Sequence, residues 1–430
     1  MDTEALLAGW RGRNLIVDST SQAELAAHLD CRPRTFYVGF DPTADSLHVG
    51  SLMPLLAARR LQLAGHRPIV LVGGGTGLIG DPSGKAGERT LSDPDRVAAC
   101  VAALKKQVSR LIDFAGGEGG AVLVDNHEWL GRLDAVTFLR DTGKHFSVSM
   151  MLGKDSVRSR IERDGGGISF TEFSYMILQA YDYLMLRRHH GCTLQIGGSD
   201  QWGNITAGID LVRRVMGEKV HGLTLPLVTR SDGLKFGKTE GGTVWLDPVR
   251  TSPYEMYQFW LGCSDEDVLK FLAYFTFLPL AAIGEIGRDT LRNPGRRSGQ
   301  KTLADEVTRL VHGDAGLAEA RRITEAFFNG AVEQLSEPEL THAVRGAPHH
   351  VRSADQCLKL SDALVLAQLV PSRSRARELI NARSVTVNGI VAGDPEGLVR
   401  AGDALYGKFS VIRRGRKTFH IIVWSNRVPA

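Results

Sequence analysis

The chain has 430 residues, 43% hydrophobic and 23% charged, with a formal net charge of +4. That balance belongs to soluble globular proteins of two or three domains, and it excludes disordered and collagen-like classes. No run of about 20 apolar residues occurs, which excludes a membrane-spanning helix.

The first residues, MDTEALLAGWRGRN, lack the basic start and apolar stretch of a secretory signal, so a cytoplasmic location is expected. RTFYVGF (34–40) reads as a short strand, and residues 50–64 have helical periodicity. PIVLVGG (68–74) is a continuous apolar run between Pro and Gly, the mark of a strand buried on both faces. A helix near 94–114 and a strand over AVLVDN (121–126) follow. The order strand–helix–strand predicts a doubly wound parallel-sheet α/β domain with ligands at the carboxyl ends of the strands, where His48, Asp81 and Asp125 fall. Residues 170–190 and 203–216 read as helices, and 251–330 as mainly helical. Residues 331–353 are polar, with Pro338, Gly346 and Pro348, and read as a linker. The expected division is a catalytic domain over 1–228, a helical domain over 229–330, that linker, and a small α+β domain over 354–430.

Charge is unevenly placed. From Val351 onward there are 13 Lys/Arg against 6 Asp/Glu, a net +7, which leaves −3 on the first 350 residues. A basic tail behind a near-neutral body suggests a polyanionic partner. The cysteines Cys31, Cys100, Cys192, Cys263 and Cys357 are scattered and odd in number. The pairs His189–His190 and His349–His350 are adjacent and read as solvated loop residues. No disulfide framework and no protein metal site is expected.

Two glycine-rich segments imitate nucleotide motifs. GTGLIG (75–80) is a literal GxGxxG after a strand, but it runs into the turn Asp81-Pro82-Ser83-Gly84, and the next strand ends only at Asp125. That context argues against a nicotinamide-dependent oxidoreductase. Gly237-Lys238-Thr239 lacks the earlier glycine of a P-loop, because Asp232 stands there.

Chemistry is carried by two other segments. Asp41-Pro-Thr-Ala-Asp-Ser-Leu-His48-Val-Gly50-Ser51 leaves a strand and enters a helix, whose first N–H groups and dipole favour phosphate. Gly50 permits close approach, and His48 can donate to a phosphate oxygen. Lys235-Phe-Gly-Lys238-Thr239, flanked by Gly233 and Gly241-Gly242, places two lysines and a hydroxyl on a loop able to close on a departing pyrophosphate.

These two segments resemble the HIGH and KMSKS signatures of class I aminoacyl-tRNA synthetases. YVGFDPTADSLHVG, LVGGGTGLIGDPSGK, FTEFSYMILQAYD, LQIGGSDQWGNI and DGLKFGKTEGGTVWLD are each similar to segments of bacterial-type tyrosyl-tRNA synthetases, from about Trp10 to Trp424. The resemblance implies that Tyr37 and Asp182 bind the phenolic hydroxyl of tyrosine. It implies that Asp81, Tyr175 and Gln179 hold the α-ammonium, with Gln195 nearby. Tyr175, Gln179 and Asp182 stand at i, i+4 and i+7, on one face of one helix. Asp41, His48, Gly50, Ser51, Gly198, Asp200, Gln201 and Lys238 are implied in ATP binding. His48, Lys85, Arg89, Lys235, Lys238 and Thr239 are implied in catalysis. ATP enters as a substrate, with Mg2+ carried on it. The implied partners are L-tyrosine, tRNA(Tyr) and a second copy of the chain in a homodimer.

Ser51 stands where the family has the second histidine of HIGH, and Val38 and Pro54 lie near the same site. Ser51 leaves an alternative open, an impaired or specialised paralogue acting mainly as an RNA-binding protein. The tail resembles an S4-type RNA-binding domain, with Arg373, Arg375, Arg377, Arg413 and Arg414 as implied RNA contacts. Arg383 stands where the family usually has a turn glycine. Such domains hold structured RNA by shape and phosphate contacts.

Overall fold

The computed structural model describes residues 3–83, 93–154, 157–158, 161–162, 167–229, 231, 236–239, 242–415 and 418–426. It divides into two compact units, residues 1–247 with 264–299, and residues 248–263 with 300–430. The expected second domain is therefore split. Its stretch 264–299 belongs with the sheet domain, and 248–263 belongs with the tail.

The first unit begins with helices α1 (Thr3–Gly12) and α2 (Gln22–Asp30). Its core is a parallel sheet of β1 (Thr35–Phe40), β2 (Arg67–Val72), β3 (Val122–Asp125), β4 (Cys192–Gly198) and β5 (His221–Leu225), in the order β3-β2-β1-β4-β5. Helices α3 (Val49–Leu63), α4 (Pro94–Val108), α5 (Phe170–His190) and α6 (Trp202–Met216) connect and cover it. This is the doubly wound arrangement expected from the strand–helix alternation. Tyr37, Ile69, Leu71 and Val124 form one core with Met176, Ala180 and Tyr183 of α5 and Ala207 and Leu211 of α6. Because strand side chains alternate, Phe36, Val38, Val70 and Val72 go to the opposite face. Both faces are thus buried, the physical reason that β1 and β2 read as near-continuous apolar runs.

The chain order reverses between β1 and β4, so a crevice opens at the carboxyl ends of those strands. Short hydrogen-bonded turns deliver the polar residues there. After β2 the GTGLIG stretch forms a 3-10 turn over Thr76–Leu78, not the helix that a dinucleotide fingerprint needs. Helix α5 is set by Ser169, whose hydroxyl caps the N–H of Glu172, and ends at Gly191, at φ +64. His189 and His190 lie in its last turn, a favourable place for cations rather than a loop.

The second unit contains the helix Pro253–Leu261 and, from Gln300 onward, the long helix Ser298–Asn329, broken at Gly313. The expected linker is folded. Ser336 and Glu339 make a capping box, Pro338 occupies the first turn, and the helix Glu337–Gly346 follows. Beyond β6 (Lys238–Thr239) and β7 (Gly242–Thr243) of the first unit, β8 (His349–Ser353) pairs parallel with β14 (Thr418–Ser425). His350 and His420 face each other across that pair, Nδ1 to Nε2 at 2.7 Å, which corrects the reading of His349–His350 as loop residues. A small pair joins β9 (Cys357–Lys359) to β12 (Leu398–Arg400). The main sheet runs β11-β10-β13-β14-β8, with β10 at Val385–Val387, β11 at Ile390–Val391 and β13 at Phe409–Arg414. β13 and β14 pair antiparallel, Phe409 opposite Val423 through Arg414 opposite Thr418. Arg383 takes φ +54, the left-handed conformation that glycine adopts more readily.

Candidate active site

The crevice is a cleft of ≈ 290 Å3. Its walls come from β1 and the loop after it, the start of α3, the turn after β2, the inner face of α5 and the end of β4. Tyr37, Asp41, His48, Ser51, Asp81, Tyr175, Gln179, Asp182, Gln195, Gly198, Asp200 and Gln201 all line it. Val38 and Pro54 line it too. The helical spacing of Tyr175, Gln179 and Asp182 thus brings all three into one cavity. Four of the lining side chains are carboxylates, which suits the cleft to an ammonium group.

At the buried end stand two polar atoms without partners among the described residues, the Tyr37 hydroxyl and Gln195 Oε1. Tyr37 is 1% exposed and Gln195 3%. Burial, and then the charge of Asp182, push the Tyr37 phenol well above its usual pKa, so it stays neutral. An unbonded buried hydroxyl is costly, and a polar ligand would remove that cost.

Asp182 is fixed by two donors. Asn126 Nδ2 donates to its Oδ2 at 2.9 Å, and Trp129 Nε1 to its Oδ1 at 2.8 Å. Burial raises its carboxyl pKa to about 7, against the pull of those two hydrogen bonds. Asn126 also donates to Thr76 Oγ1 at 3.0 Å and accepts the Gly75 N–H at 2.8 Å. Thr76 donates to Asp41 Oδ1 at 2.7 Å, and the Tyr175 hydroxyl to Asp41 Oδ2 at 2.7 Å. Gly73 makes this approach possible, since a Cβ there would lie 2.1 Å from Asp41 Oδ1. Asp41 is therefore part of the scaffold under the tyrosine residues as well as a lining group.

A second network joins the opposite wall. Gln201 Nε2 donates to Asp81 Oδ2 at 2.7 Å, and Asn204 Nδ2 donates to Gln179 Oε1 at 3.0 Å and Gln201 Oε1 at 3.2 Å. Asn126, Trp129, Thr76 and Asn204 were not singled out by the sequence reading. The signal available for Asn126 was a polar residue directly after a buried strand. Apart from the Asn204–Gln201 bond, their partners stand 25 or more residues away and give no local pattern.

His48 is the N-cap of α3. Its Nδ1 accepts the Gly50 N–H at 3.0 Å, which leaves the ring proton on Nε2 as a donor. Burial lowers its pKa and keeps the ring neutral. Gly50 has a structural role at this helix start. It does not line the cleft, and a Cβ there would lie 2.7 Å from the His48 ring, so glycine permits the cap itself. Asp125 does not line the cleft either, and its Oδ1 accepts the His127 N–H.

Lys85, Arg89 and Lys235 lie outside the described residues. Lys238 and Thr239 form β6, where Lys238 pairs with Thr243 and Thr239 with Gly242. Among the described residues, no group of three or more His, Cys, Asp or Glu is placed to hold a metal ion, and no helix is long and apolar enough to cross a membrane.

Residues 29–329 match the family of tRNA synthetases class I (W and Y). The chain belongs to that family. Residues 339–422 match the tyrosine–tRNA ligase SYY-like C-terminal domain. The chain is 52% identical to the tyrosine–tRNA ligase of Aliivibrio fischeri, over 98% of this chain and 99% of that one. It is 48% identical to the tyrosine–tRNA ligase of Yersinia pseudotuberculosis, over 99% of this chain and 100% of that one. A C-terminally truncated mitochondrial tyrosyl-tRNA synthetase of Aspergillus nidulans superposes with a TM-score of 0.67 at 30% identity, covering 75% of this chain and 94% of its own. The bacterial-type synthetase resemblance read from the five sequence segments is thereby shown.

In this synthetase the basic tail is more internally engaged than its charge suggested. Arg373 pairs with Asp362 at 2.5 Å, Arg377 with Glu396 at 2.9 Å, and Arg375 with Glu378. These are exposed pairs, cheap to exchange for phosphate. Arg413 donates to the Phe328 carbonyl at 2.8 Å, and Arg414 to the Leu369 carbonyl. Those two arginines hold the fold of the tail.

Proposed function

We propose that the chain is a tyrosine–tRNA ligase. The observation that carries this is the unbonded Tyr37 hydroxyl beside Asp182, at the buried end of a cleft whose outer part is the His48-capped start of α3. A tyrosine phenol would accept from Tyr37 and donate to Asp182. Its ammonium would lie among Asp81, Gln179 and Tyr175. ATP would lie along Asp41, Ser51, Gly198, Asp200 and Gln201, with the phosphates towards His48.

In the first step a tyrosine carboxylate oxygen attacks the α-phosphorus, the bond to the bridging oxygen breaks, and pyrophosphate leaves. His48 Nε2–H donates to a phosphate oxygen. Lys85, Arg89, Lys235, Lys238 and Thr239 meet the charge that develops on the leaving group. Mg2+ arrives on the ATP phosphates and neutralises part of their charge. In the second step a terminal ribose hydroxyl of tRNA(Tyr) attacks the tyrosyl carbonyl and AMP leaves. No protein nucleophile is required, so catalysis is positioning and charge stabilisation. Arg373, Arg375 and Arg377 would exchange their carboxylate partners for RNA phosphates.

Amino-acid-dependent ATP–pyrophosphate exchange tests the reading. Exchange with tyrosine alone is the expected result. No exchange with any amino acid, from folded protein with Mg2+, would favour the impaired RNA-binding paralogue that Ser51 leaves open.

A second copy is the proposed partner of Val136, Leu139, Val148, Leu152 and Phe170, which are exposed. So many exposed apolar side chains in one stretch suit a homodimer contact. Light scattering is expected to give twice the chain mass of 46.8 kDa. A monomer at micromolar concentration would reject this contact.

A further inference from the structure

Beside the cleft lies a buried polar side chain that no step above uses. Gln107 stands near the end of α4 and is 7% exposed. Val97, Cys100, Val101, Leu104 and Val108 make the rest of that helix face apolar. Leu104 lines the cleft, but Gln107 does not. A buried primary amide destabilises a fold unless both of its ends are bonded.

Both ends of Gln107 are bonded, and all its partners precede His48. Oε1 accepts the Leu47 N–H at 2.9 Å and the Ser46 hydroxyl at 3.2 Å. Nε2 donates to the Asp45 carbonyl at 3.0 Å. One side chain therefore holds three consecutive residues of the segment that ends in the α3 cap.

That segment is also bonded to residues 244–247, which follow the lysine loop. Leu246 N–H donates to the Leu47 carbonyl at 2.8 Å, and Val49 N–H to the Val244 carbonyl at 3.1 Å. His48 and Trp245 pair as an antiparallel bridge between these bonds. Asp247 N–H donates to Ser46 Oγ at 3.2 Å, the same hydroxyl that bonds to Gln107. Upstream, Gly237 takes φ +78, and a Cβ there would lie 2.8 Å from Val49 Cγ2. Residues 45–49 are thus the meeting point of both signature segments, and Gln107 is the brace that reaches them from α4.

We propose that Gln107 is a positioning residue for adenylate formation, acting by fixing the backbone of residues 45–47, and through it both His48 and residues 244–247, which follow the lysine loop. The proposal rests on the tyrosine-activating reading above. Its chemistry predicts a selective defect. Tyr37, Asp182 and Gln195 stand on β1, α5 and β4, away from this brace, so tyrosine binding should survive its loss.

The test uses the full chain with Gln107→Met and Gln107→Glu. Methionine keeps the volume and removes every bond. The kcat of tyrosine-dependent exchange is expected to fall roughly 10- to 100-fold, the scale for a small misplacement of catalytic groups. The tyrosine Kd, measured by equilibrium dialysis, should change by less than about two-fold, as for independent sites. Glutamate keeps the acceptor for Leu47 and Ser46 but sets a second oxygen against the Asp45 carbonyl. Protonation restores a donor there, and burial raises the pKa of such a carboxyl. The kcat of Gln107→Glu relative to wild type should therefore climb as pH is lowered, and Gln107→Met should show no such recovery.

An unchanged kcat in Gln107→Met overturns the proposal. So does a loss of tyrosine affinity equal to the loss of kcat, which would mark a general structural role. Absence of exchange in the wild type would instead remove the tyrosine-activating reading. The His48 ring titration, followed by NMR, then decides the brace on its own. A shift towards the ordinary imidazole value in Gln107→Met supports it, and identical titrations overturn it.

Discussion

Replacing His48 with alanine is expected to lower the kcat of tyrosine-dependent pyrophosphate exchange by about 10²- to 10³-fold, the usual loss for one transition-state donor. The ring is neutral because it is buried, and Nδ1 is occupied by the Gly50 N–H, so Nε2–H is the donor left for the cleft. A donor used mainly as charge develops on phosphate lowers kcat and leaves ground-state binding of tyrosine nearly unchanged. Alanine also removes an N-cap, at a cost of about 1 kcal/mol in stability. The His48→Asn variant separates the two effects, because asparagine is a good N-cap with a shorter reach. It should restore the thermal midpoint while recovering only part of kcat. If kcat followed the midpoint in both variants, His48 would be a capping residue only. Ser51 enters this argument as a neighbour, not as a support: His48 receives its orientation from Gly50, and from Trp245, whose ring stands edge-on at 6.4 Å.

What the sequence disclosed follows from the range of the interactions. β1 and β2 were legible because burial on both faces writes a continuous apolar run. β5 was not, because His221, Gly222 and Thr224 interrupt its run. Their burial is stabilised from far away, with Thr224 Oγ1 accepting the Asp18 N–H at 2.9 Å and His221 near the Thr20 hydroxyl at 3.3 Å. Residues 331–353 were misread for a different reason. Pro338 was taken as a breaker, yet a proline in the first turn of a capped helix starts it. In the site, the periodicity of Tyr175, Gln179 and Asp182 disclosed one wall of the cleft. The donors that hold Asp182 come from residues 56 and 53 positions earlier, a separation that no local pattern records. The arginines of the tail looked like free cations because Asp362 and Glu396, which pair with Arg373 and Arg377, belong to other elements.

Asp182 carries the second large effect, discrimination between tyrosine and phenylalanine. Phenylalanine would leave the Tyr37 hydroxyl unbonded and take away the phenol that donates to Asp182. A buried hydrogen bond to a charged group contributes about 1.5–3 kcal/mol, or roughly 10- to 150-fold in kcat/KM. Asp182→Ala should therefore reduce the ratio of kcat/KM for tyrosine over phenylalanine by about that factor. The variant also leaves Asn126 Nδ2 and Trp129 Nε1 without their acceptor, so a loss of stability should accompany it. A pH titration of the wild type gives the same information without any substitution. The phenol donates to the ionised carboxylate, so tyrosine favours the deprotonated form of Asp182. With the free carboxyl near a pKa of about 7, lowering the pH depletes the competent form, and the apparent Kd rises in inverse proportion to it. Between about pH 8 and about pH 6 the expected weakening is roughly ten-fold. Asp182→Asn, which cannot ionise, should bind tyrosine weakly and with no such pH dependence. A flat wild-type profile together with an unchanged Tyr/Phe ratio in Asp182→Ala would place phenol recognition elsewhere in the cleft. The steep profile would identify Asp182 as the acceptor that separates the two amino acids.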